Sequence, residues 1–129
     1  MSPAESGFRQ PWWASDYTKH HPPRLSESWD DVVRGTGRPE GIARYNPSLS
    51  LADIETMEIE TVTEALGLGH EIESKRRHNK RVYWRRMDRI IGASNGQETD
   101  YIYVEYAITG NVHGRPMTVE QLKIKGVRV

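Results

Sequence analysis

The chain has 129 residues, no cysteine, and 18 basic residues balanced by 18 acidic ones, which gives a formal net charge of zero. The absence of cysteine excludes disulfides and cysteine-based zinc sites. No apolar run approaches the roughly 18 residues that a membrane helix needs. We therefore expect one soluble domain without a membrane partner, burying roughly two-thirds of its unfolded surface.

Residues 1–47 predict an extended arm rather than a long helix. They contain six of the seven prolines, and the adjacent Pro22 and Pro23 interrupt any helix in the middle of the segment. A disordered tail rarely contains so many aromatic residues, so we expect the tryptophans of the arm to pack on the rest of the chain. These are Trp12, Trp13 and Trp29.

Two short segments of the arm carry further signals. Residues 26–34 predict a short helix that Ser26 or Ser28 caps and that ends at residues 35–37. Residues 35–41 (GTGRPEG) are glycine-rich and basic, but they lack the Gly-Lys-Ser/Thr ending of a phosphate-binding P-loop. We interpret them as a plain loop.

The clearest helix is predicted over residues 51–66. Ser50 is the N-cap candidate, and Asp53 places an acid near the positive end of the helix. The apolar residues recur at helical spacing and form one stripe, while the five acids of the segment predict a solvated face. The stripe consists of Leu51, Ile54, Met57, Val62, Ala65 and Leu66.

After this helix the hydrophobic period changes to that of a strand. Residues 81–91 predict a strand whose alternation slips near residues 85–86, which suggests a bulge. The dipeptide Asn95-Gly96 predicts a tight turn. Residues 100–108 then alternate cleanly and predict a second strand.

The C-terminal part completes the predicted fold. Residues 112–116 predict a short strand limited by its proline, and Thr118 with Gln121 resembles a capping box before a last short helix. The helix followed by strands indicates an α+β protein in which an arm and a helix pack on a small twisted antiparallel sheet. We divide the chain into an arm (1–47) and an α+β domain (48–129) that carries the candidate site.

The neutral net charge conceals a segregation of charge along the chain. Residues 45–74 contain seven acids and no Lys or Arg, whereas residues 75–89 contain eight Lys or Arg and one acid. Cations interleaved with Tyr83 and Trp84 are typical of a surface that binds single-stranded nucleic acid. The alternative is that these cations only neutralise the neighbouring acidic helix.

The alternation of the two last strands predicts a polar face. Ile102, Val104, Tyr106 and Ile108 share one face of their strand, and Tyr101, Tyr103, Glu105 and Ala107 share the other. If Val112 continues the apolar face, then His113 and Arg115 lie with Glu105 on the polar face. A slip of one residue in the turn reverses this assignment.

Glutamate, histidine and arginine on one open face are the groups required for metal-free cleavage of RNA. A base removes the 2′-hydroxyl proton, an acid protonates the departing 5′-oxygen, and a cation stabilises the charge on phosphorus. Candidate catalytic residues are Glu105, His113 and Arg115, and candidate substrate-binding residues are Arg85, Arg86, Tyr101, Tyr103, Lys80 and Arg81. The alternative is a cross-strand ion pair of Glu105 and Arg115 beside a solvated His113.

The histidines are a second group of residues that could bind a metal. His20 and His21 are adjacent, and His70 and His78 lie near acids, but no H-x-x-x-H pattern occurs. We therefore expect no metal and no other cofactor.

The order of these segments resembles a known group of proteins. The striped helix SLADIETMEIETVTEAL, the strand segment RIIGASNGQETDYIYVEY and the ending GNVHGRP resemble C-terminal toxin modules of bacterial polymorphic and contact-dependent secretion systems. More broadly, the order resembles the barnase–EndoU–colicin–RelE group of small ribonucleases, over residues 45–118. The resemblance implies metal-independent RNA cleavage, a cognate immunity protein and delivery as part of a larger protein. It assigns His113, Arg115 and Glu105 to the site.

The leading hypothesis is therefore a toxin-type endoribonuclease that acts on tRNA or other single-stranded RNA in the cytoplasm after delivery from another cell. Glu105 and His113 form the base–acid pair, in either order, while Arg115 and either Arg85 or Arg86 hold the phosphate. One alternative is a non-enzymatic adaptor or inhibitor, of phage or immunity type, that docks a partner by charge. Another is a nucleic-acid-binding module without catalysis.

Overall fold

The computed structural model describes residues 7–24, 26–63 and 67–128. Its fold is α+β, as the sequence predicts, with a five-stranded mixed sheet and a three-stranded antiparallel sheet. The strands are β1 (Trp12–Trp13), β2 (Arg44–Tyr45), β3 (His70–Glu71), β4 (Lys80–Arg86), β5 (Gly92–Ser94), β6 (Gln97–Thr99), β7 (Tyr101–Ala107) and β8 (Asn111–Pro116). Over these ranges, no helix combines the length and apolar character that crossing a bilayer demands.

The first and last helices begin at the caps that the sequence indicates. Helix α1 (Trp29–Thr36) starts after Ser28, whose hydroxyl accepts a backbone N–H of the first turn. The helix ends at Thr36, with Gly37 as its C-cap, within the predicted end at residues 35–37. The last helix, α3 (Val119–Ile124), has the predicted capping box, in which Thr118 and Gln121 satisfy each other's backbone N–H groups.

The central helix, α2 (Leu51–Thr63), also starts where predicted. The Ser50 hydroxyl accepts the Asp53 N–H at 3.0 Å, and the Asp53 carboxylate accepts the Ser50 N–H at 2.9 Å. The last predicted residues of this helix, 64–66, lie outside the described residues. The prediction of a solvated acidic face is wrong for Glu58, which is only 3 % exposed.

The main sheet has the strand order β1-β8-β7-β4-β3. Neighbouring strands are antiparallel, except that β1 from the arm pairs in parallel with β8. The predicted antiparallel sheet is therefore correct for the central strands and wrong at this edge, where the arm adds a strand. The arm also contributes Phe8 and Tyr45 to the core, so it is an integral part of the packing.

The predicted strand over residues 81–91 is too long. Strand β4 ends at Arg86, and the slip in alternation marks the point where the chain leaves the main sheet rather than a bulge. Residues 92–99 form the β5–β6 hairpin, which joins β2 in the smaller sheet. Asn95 and Gly96 form its predicted turn with φ of 52° and 80°, a conformation that favours these two residue types. In the following strand, β7 ends at Ala107, so the predicted membership of Ile108 in it is wrong.

The main sheet carries a core on each side. Helix α2 packs on one side, against Ile102, Val104 and Tyr106 of β7. On the other side, Leu122 of α3 packs on Tyr103 together with neighbouring apolar residues. The predicted polar face is therefore partly covered, and its open part lies near Glu105.

Candidate active site

Strands β7 and β8 bring the predicted catalytic residues together. Glu105 lies directly opposite His113, and Tyr103 lies directly opposite Arg115. The turn between the strands introduces no slip, so the prediction that these residues share one face is confirmed. Lys80 of the adjacent β4 pairs with Ala107 and lies on the same face by alternation.

The carboxylate of Glu105 is the centre of this group. Its Oε2 accepts the Lys80 ammonium at 3.2 Å and the Tyr103 hydroxyl at 3.4 Å. Its Oε1 lies 3.6 Å from Nε2 of His113. The two oxygens thus serve different partners, one cationic and one able to gain or lose a proton. The Glu105 and His113 side chains are 21 % and 24 % exposed, so solvent and a substrate can reach both.

Arg115 does not form the ion pair with Glu105 that the alternative interpretation required. Its guanidinium carbon lies 5.0 Å from the ring centroid of Tyr103, a cation–π arrangement. It has no carboxylate partner among residues 7–24, 26–63 and 67–128. Its positive charge is therefore available to an anion at the site.

The environment of His113 favours its neutral form. The Tyr17 ring of the arm packs on the imidazole, with centroids 4.3 Å apart and planes tilted by 33°. Burial lowers the pKa of His113, Glu105 opposes that shift, and Arg115 and Lys80 reinforce it. The folded protein therefore carries His113 mainly as a neutral imidazole at pH 7.

The two tyrosines predicted to bind substrate have different positions. Tyr103 is 3 % exposed, and burial raises the pKa of its hydroxyl to about 12, so its ring is closed to a nucleobase. Tyr101 is half-buried, with its ring centroid 5.9 Å from that of Trp84 and 5.7 Å from the Arg86 guanidinium. It pairs with Arg86 at the end of β4 away from Lys80.

The basic residues of β4 are distributed over both sides of the sheet. Lys80 reaches Glu105, whereas Arg86 is held by Asp100 at 3.0 Å. Arg81 and Arg85 project to the α2 side, because they pair with core residues of β7. Arg85 donates to the Met57 carbonyl at 3.3 Å. The structure therefore does not bring Arg81 or Arg85 together with the candidate catalytic residues.

The arm supplies site residues that the sequence reasoning missed. Besides Tyr17, the arm contributes His20, whose ring centroid lies 5.8 Å from that of Tyr17. His20 is 5 % exposed and its Nδ1 donates to the Ala43 carbonyl at 2.8 Å. The concentration of histidine and aromatic residues in the arm was visible, but no local pattern indicates which strand such side chains will meet.

The weak metal-binding pattern has no structural counterpart in the described ranges. His20 is buried against Ala43, while His21 stacks on Trp13 at 5.9 Å. No group of three histidine, aspartate or glutamate side chains converges there in a way that could hold a metal ion.

Chemically, the site combines a neutral base with fixed charges. A proton taken up by His113 creates an imidazolium next to the Glu105 carboxylate, which stabilises it. Lys80 and Arg115 supply positive charge for an anionic substrate. The group is thus suited to proton transfer at a phosphate ester.

Comparison of the chain with protein-family models, with curated proteins and with solved structures gives no match.

Proposed function

We propose that the protein is a metal-independent endoribonuclease of the toxin type, which cleaves RNA by transesterification. The observation that carries this proposal is the cross-strand pair of Glu105 and His113, flanked on the same face by Lys80 and Arg115. A proton acceptor, a carboxylate and two cations are the minimum set that this reaction requires without a metal.

In the proposed reaction His113 acts first as the base. Its lowered pKa leaves the imidazole free to accept the 2′-hydroxyl proton, and the 2′-oxygen then attacks phosphorus. The P–O5′ bond breaks, which leaves a 2′,3′-cyclic phosphate, and the imidazolium returns its proton to the departing 5′-oxygen. Glu105 stabilises the imidazolium between the two steps, so its contribution is larger in the transition state than in the resting enzyme.

Lys80 and Arg115 hold the phosphate in this proposal. The Arg115 guanidinium presents donors in a planar fork suited to two phosphate oxygens. Of the two arginines that the sequence suggests for this role, Arg85 lies on the other side of the sheet, and Arg86 lies at the end of β4 away from Glu105, where Asp100 binds it. Lys80 takes their place, because its ammonium already lies beside Glu105.

The biological role follows the same chemistry. RNA, either tRNA or another single-stranded form, is the proposed substrate, and the cytoplasm is where such a toxin acts after delivery from another cell. A producing cell then needs a cognate immunity protein. An acidic surface on that protein would complement Lys80 and Arg115.

The proposal is tested by incubating the purified chain with total RNA, with and without a chelator. We expect cleavage that the chelator does not reduce and that disappears in His113→Ala. Salt-dependent RNA binding without cleavage would instead indicate a binding module. The absence of both binding and cleavage would favour a protein-binding adaptor.

A further inference from the structure

A cleft of about 540 Å³ lies beside the candidate active site. Its walls come from the arm, from the loop after α1, from the β5–β6 turn, and from β8 and α3. The charged residues that line it are Lys19, Arg38 and Arg115. No aspartate or glutamate lines it within the part of the chain that the structure describes.

The positive charges of these three residues are not neutralised by ion pairs within the described residues. None of them forms an ion pair with a carboxylate in the described ranges, although the chain as a whole has equal numbers of acids and bases. Cations gathered in a concave region focus a positive potential and attract anions. The contrast with Arg86, which Asp100 neutralises at 3.0 Å, shows that the fold does pair other arginines.

The wall of the cleft also contains one buried polar atom for which the described residues provide no hydrogen-bond partner. His20 lines it, and its Nε2 is a buried atom with no hydrogen-bond partner, while Nδ1 is satisfied by Ala43. Burial lowers the pKa of His20 to about 4, and Arg115 and Lys19 add to this effect. An anion in the cleft would offset the positive charge that opposes protonation of His20.

The cleft is continuous with the active site through one residue. Arg115 lines the cleft and also lies on the same face as His113, two positions along β8. Two positions along a strand correspond to roughly 7 Å, which is comparable to the separation of neighbouring phosphates in an extended single strand. An RNA strand held at His113 therefore reaches the cleft with its next phosphate.

We propose that Lys19 and Arg38 form a subsite for the phosphate adjacent to the one cleaved at His113, and that Arg115, which holds the cleaved phosphate, lies between the two positions. This inference rests on the proposed ribonuclease function for the identity of the substrate. The binding of a polynucleotide phosphate in the cleft is nevertheless measurable without any cleavage.

The test uses a single-stranded DNA oligonucleotide, which lacks the 2′-hydroxyl and so cannot be cleaved by transesterification. We compare the wild type with the double variant Lys19→Gln/Arg38→Gln. Both residues are exposed, so their replacement leaves the core intact. The matched control is Lys123→Gln/Arg128→Gln, which removes one exposed lysine and one exposed arginine outside the cleft.

We expect the cleft variant to bind the oligonucleotide about tenfold more weakly at low salt. The slope of log affinity against log salt should become shallower by about 1, because fewer phosphate contacts release counterions. The control should change affinity by less than about twofold. Equal weakening in both variants, or no weakening in either, would overturn the inference.

Cleavage assays separate this inference from the proposed function. A dinucleotide has only the cleaved phosphate, so the cleft variant should process it normally while losing about tenfold in kcat/KM on a longer RNA. If the wild type cleaves no RNA but the cleft variant still binds DNA more weakly, the phosphate-binding cleft is retained and the ribonuclease function is rejected. RNA cleavage with equal kcat/KM on long and short substrates would reject the subsite alone.

Discussion

Two glutamates lie on opposite sides of the main sheet and have opposite surroundings. Glu58 of α2 is 3 % exposed and accepts neutral donors: the Trp13 indole at 2.9 Å, the Tyr45 hydroxyl at 2.6 Å and the Gly114 N–H. Glu105 of β7 is partly open and contacts a lysine and a histidine. The same side chain therefore joins elements of the fold in one place and forms part of a reactive group in the other.

Strand β8, which contacts both glutamates, makes this arrangement possible. Gly114 separates His113 from Arg115, and a Cβ at this position would lie 2.6 Å from the Tyr103 carbonyl oxygen and 3.3 Å from Cδ of Glu58. Only glycine fits this close approach. Because Gly114 has no side chain, its backbone N–H can donate to the Glu58 carboxylate on the α2 side of the sheet. His113 contacts Glu105 on the opposite side. We infer that Glu58 stabilises the strand on which the candidate site is built.

The largest expected effect concerns catalysis. His113→Ala should lower RNA cleavage by about 10²–10⁴-fold, the range for loss of a general acid–base group, and Glu58→Gln should retain most of the activity. The matched control is His78→Ala, which removes an exposed histidine within the basic run. Initial rates on one oligoribonucleotide give the comparison. Equal activity of the His113 and His78 variants would contradict the assignment.

The next effect concerns stability, for which Glu58 should matter more than the residues of the candidate site. Glu58→Ala leaves three donors without their acceptor, and we expect it to lower the free energy of unfolding by about 3 kcal/mol or more. Glu105→Ala removes a partly solvated ion pair and should cost less than about 1 kcal/mol. Urea unfolding at constant pH measures both. A larger loss for Glu105→Ala would remove the distinction between the two glutamates.

The pH dependence of stability gives a third comparison, between Glu58 and His20. Burial raises the pKa of Glu58 to about 7, so this carboxyl ionises at lower pH in the unfolded chain than in the folded protein. Its contribution to the free energy of unfolding is therefore lost as the pH rises from about 4.5 to 7. Burial lowers the pKa of His20 to about 4, so its contribution is lost as the pH falls from about 6.5 to 4. Each contribution amounts to roughly 3 kcal/mol at most.

Single variants should separate these opposing contributions. Relative to the wild type, Glu58→Gln should become more stable as the pH rises from 4.5 to 7, and His20→Gln should become less stable as the pH rises from 4 to 6.5. Denaturant midpoints at several pH values check both. Parallel curves for the wild type and the two variants would show that neither group is perturbed.

The smallest effect is on the titration of His113. Glu105→Gln removes the charge that raises its pKa, so the pKa should fall further. Lys80→Gln removes a charge that lowers it, so the pKa should rise. NMR titration of the imidazole follows both changes independently of activity. Shifts in the same direction for the two variants would contradict the described contacts.

The hairpin was the most predictable part of the site, because strict alternation in residues 101–107 fixes which side chains share a face. The three predicted helix caps followed from local rules in the same way. The burial of Tyr103 was not predictable, since it depends on α3, which lies beyond β8 in sequence and covers that ring. The contact of Tyr17 with His113 joins positions 96 residues apart, and no local signal specifies such a pairing.

The positions of the arginines show a further limit. Alternation alone places Arg81 and Arg85 on the face away from Lys80 and Arg86, although the charge of all four residues suggests one common surface. Glu58 was grouped with the solvated acids of its helix for the same reason. In both cases the face of the strand or helix, rather than the charge of the side chain, decides the environment of the residue.

The most direct test of the proposed reaction uses a DNA oligonucleotide that contains a single ribonucleotide, incubated with the protein in excess chelator. We predict one cut, on the 3′ side of that ribonucleotide, with a 2′,3′-cyclic phosphate on one product and a 5′-hydroxyl on the other, as read by mass spectrometry. No cut should occur with His113→Ala. An intact oligonucleotide, or cleavage at the deoxynucleotides as well, would contradict transesterification at the Glu105–His113 pair.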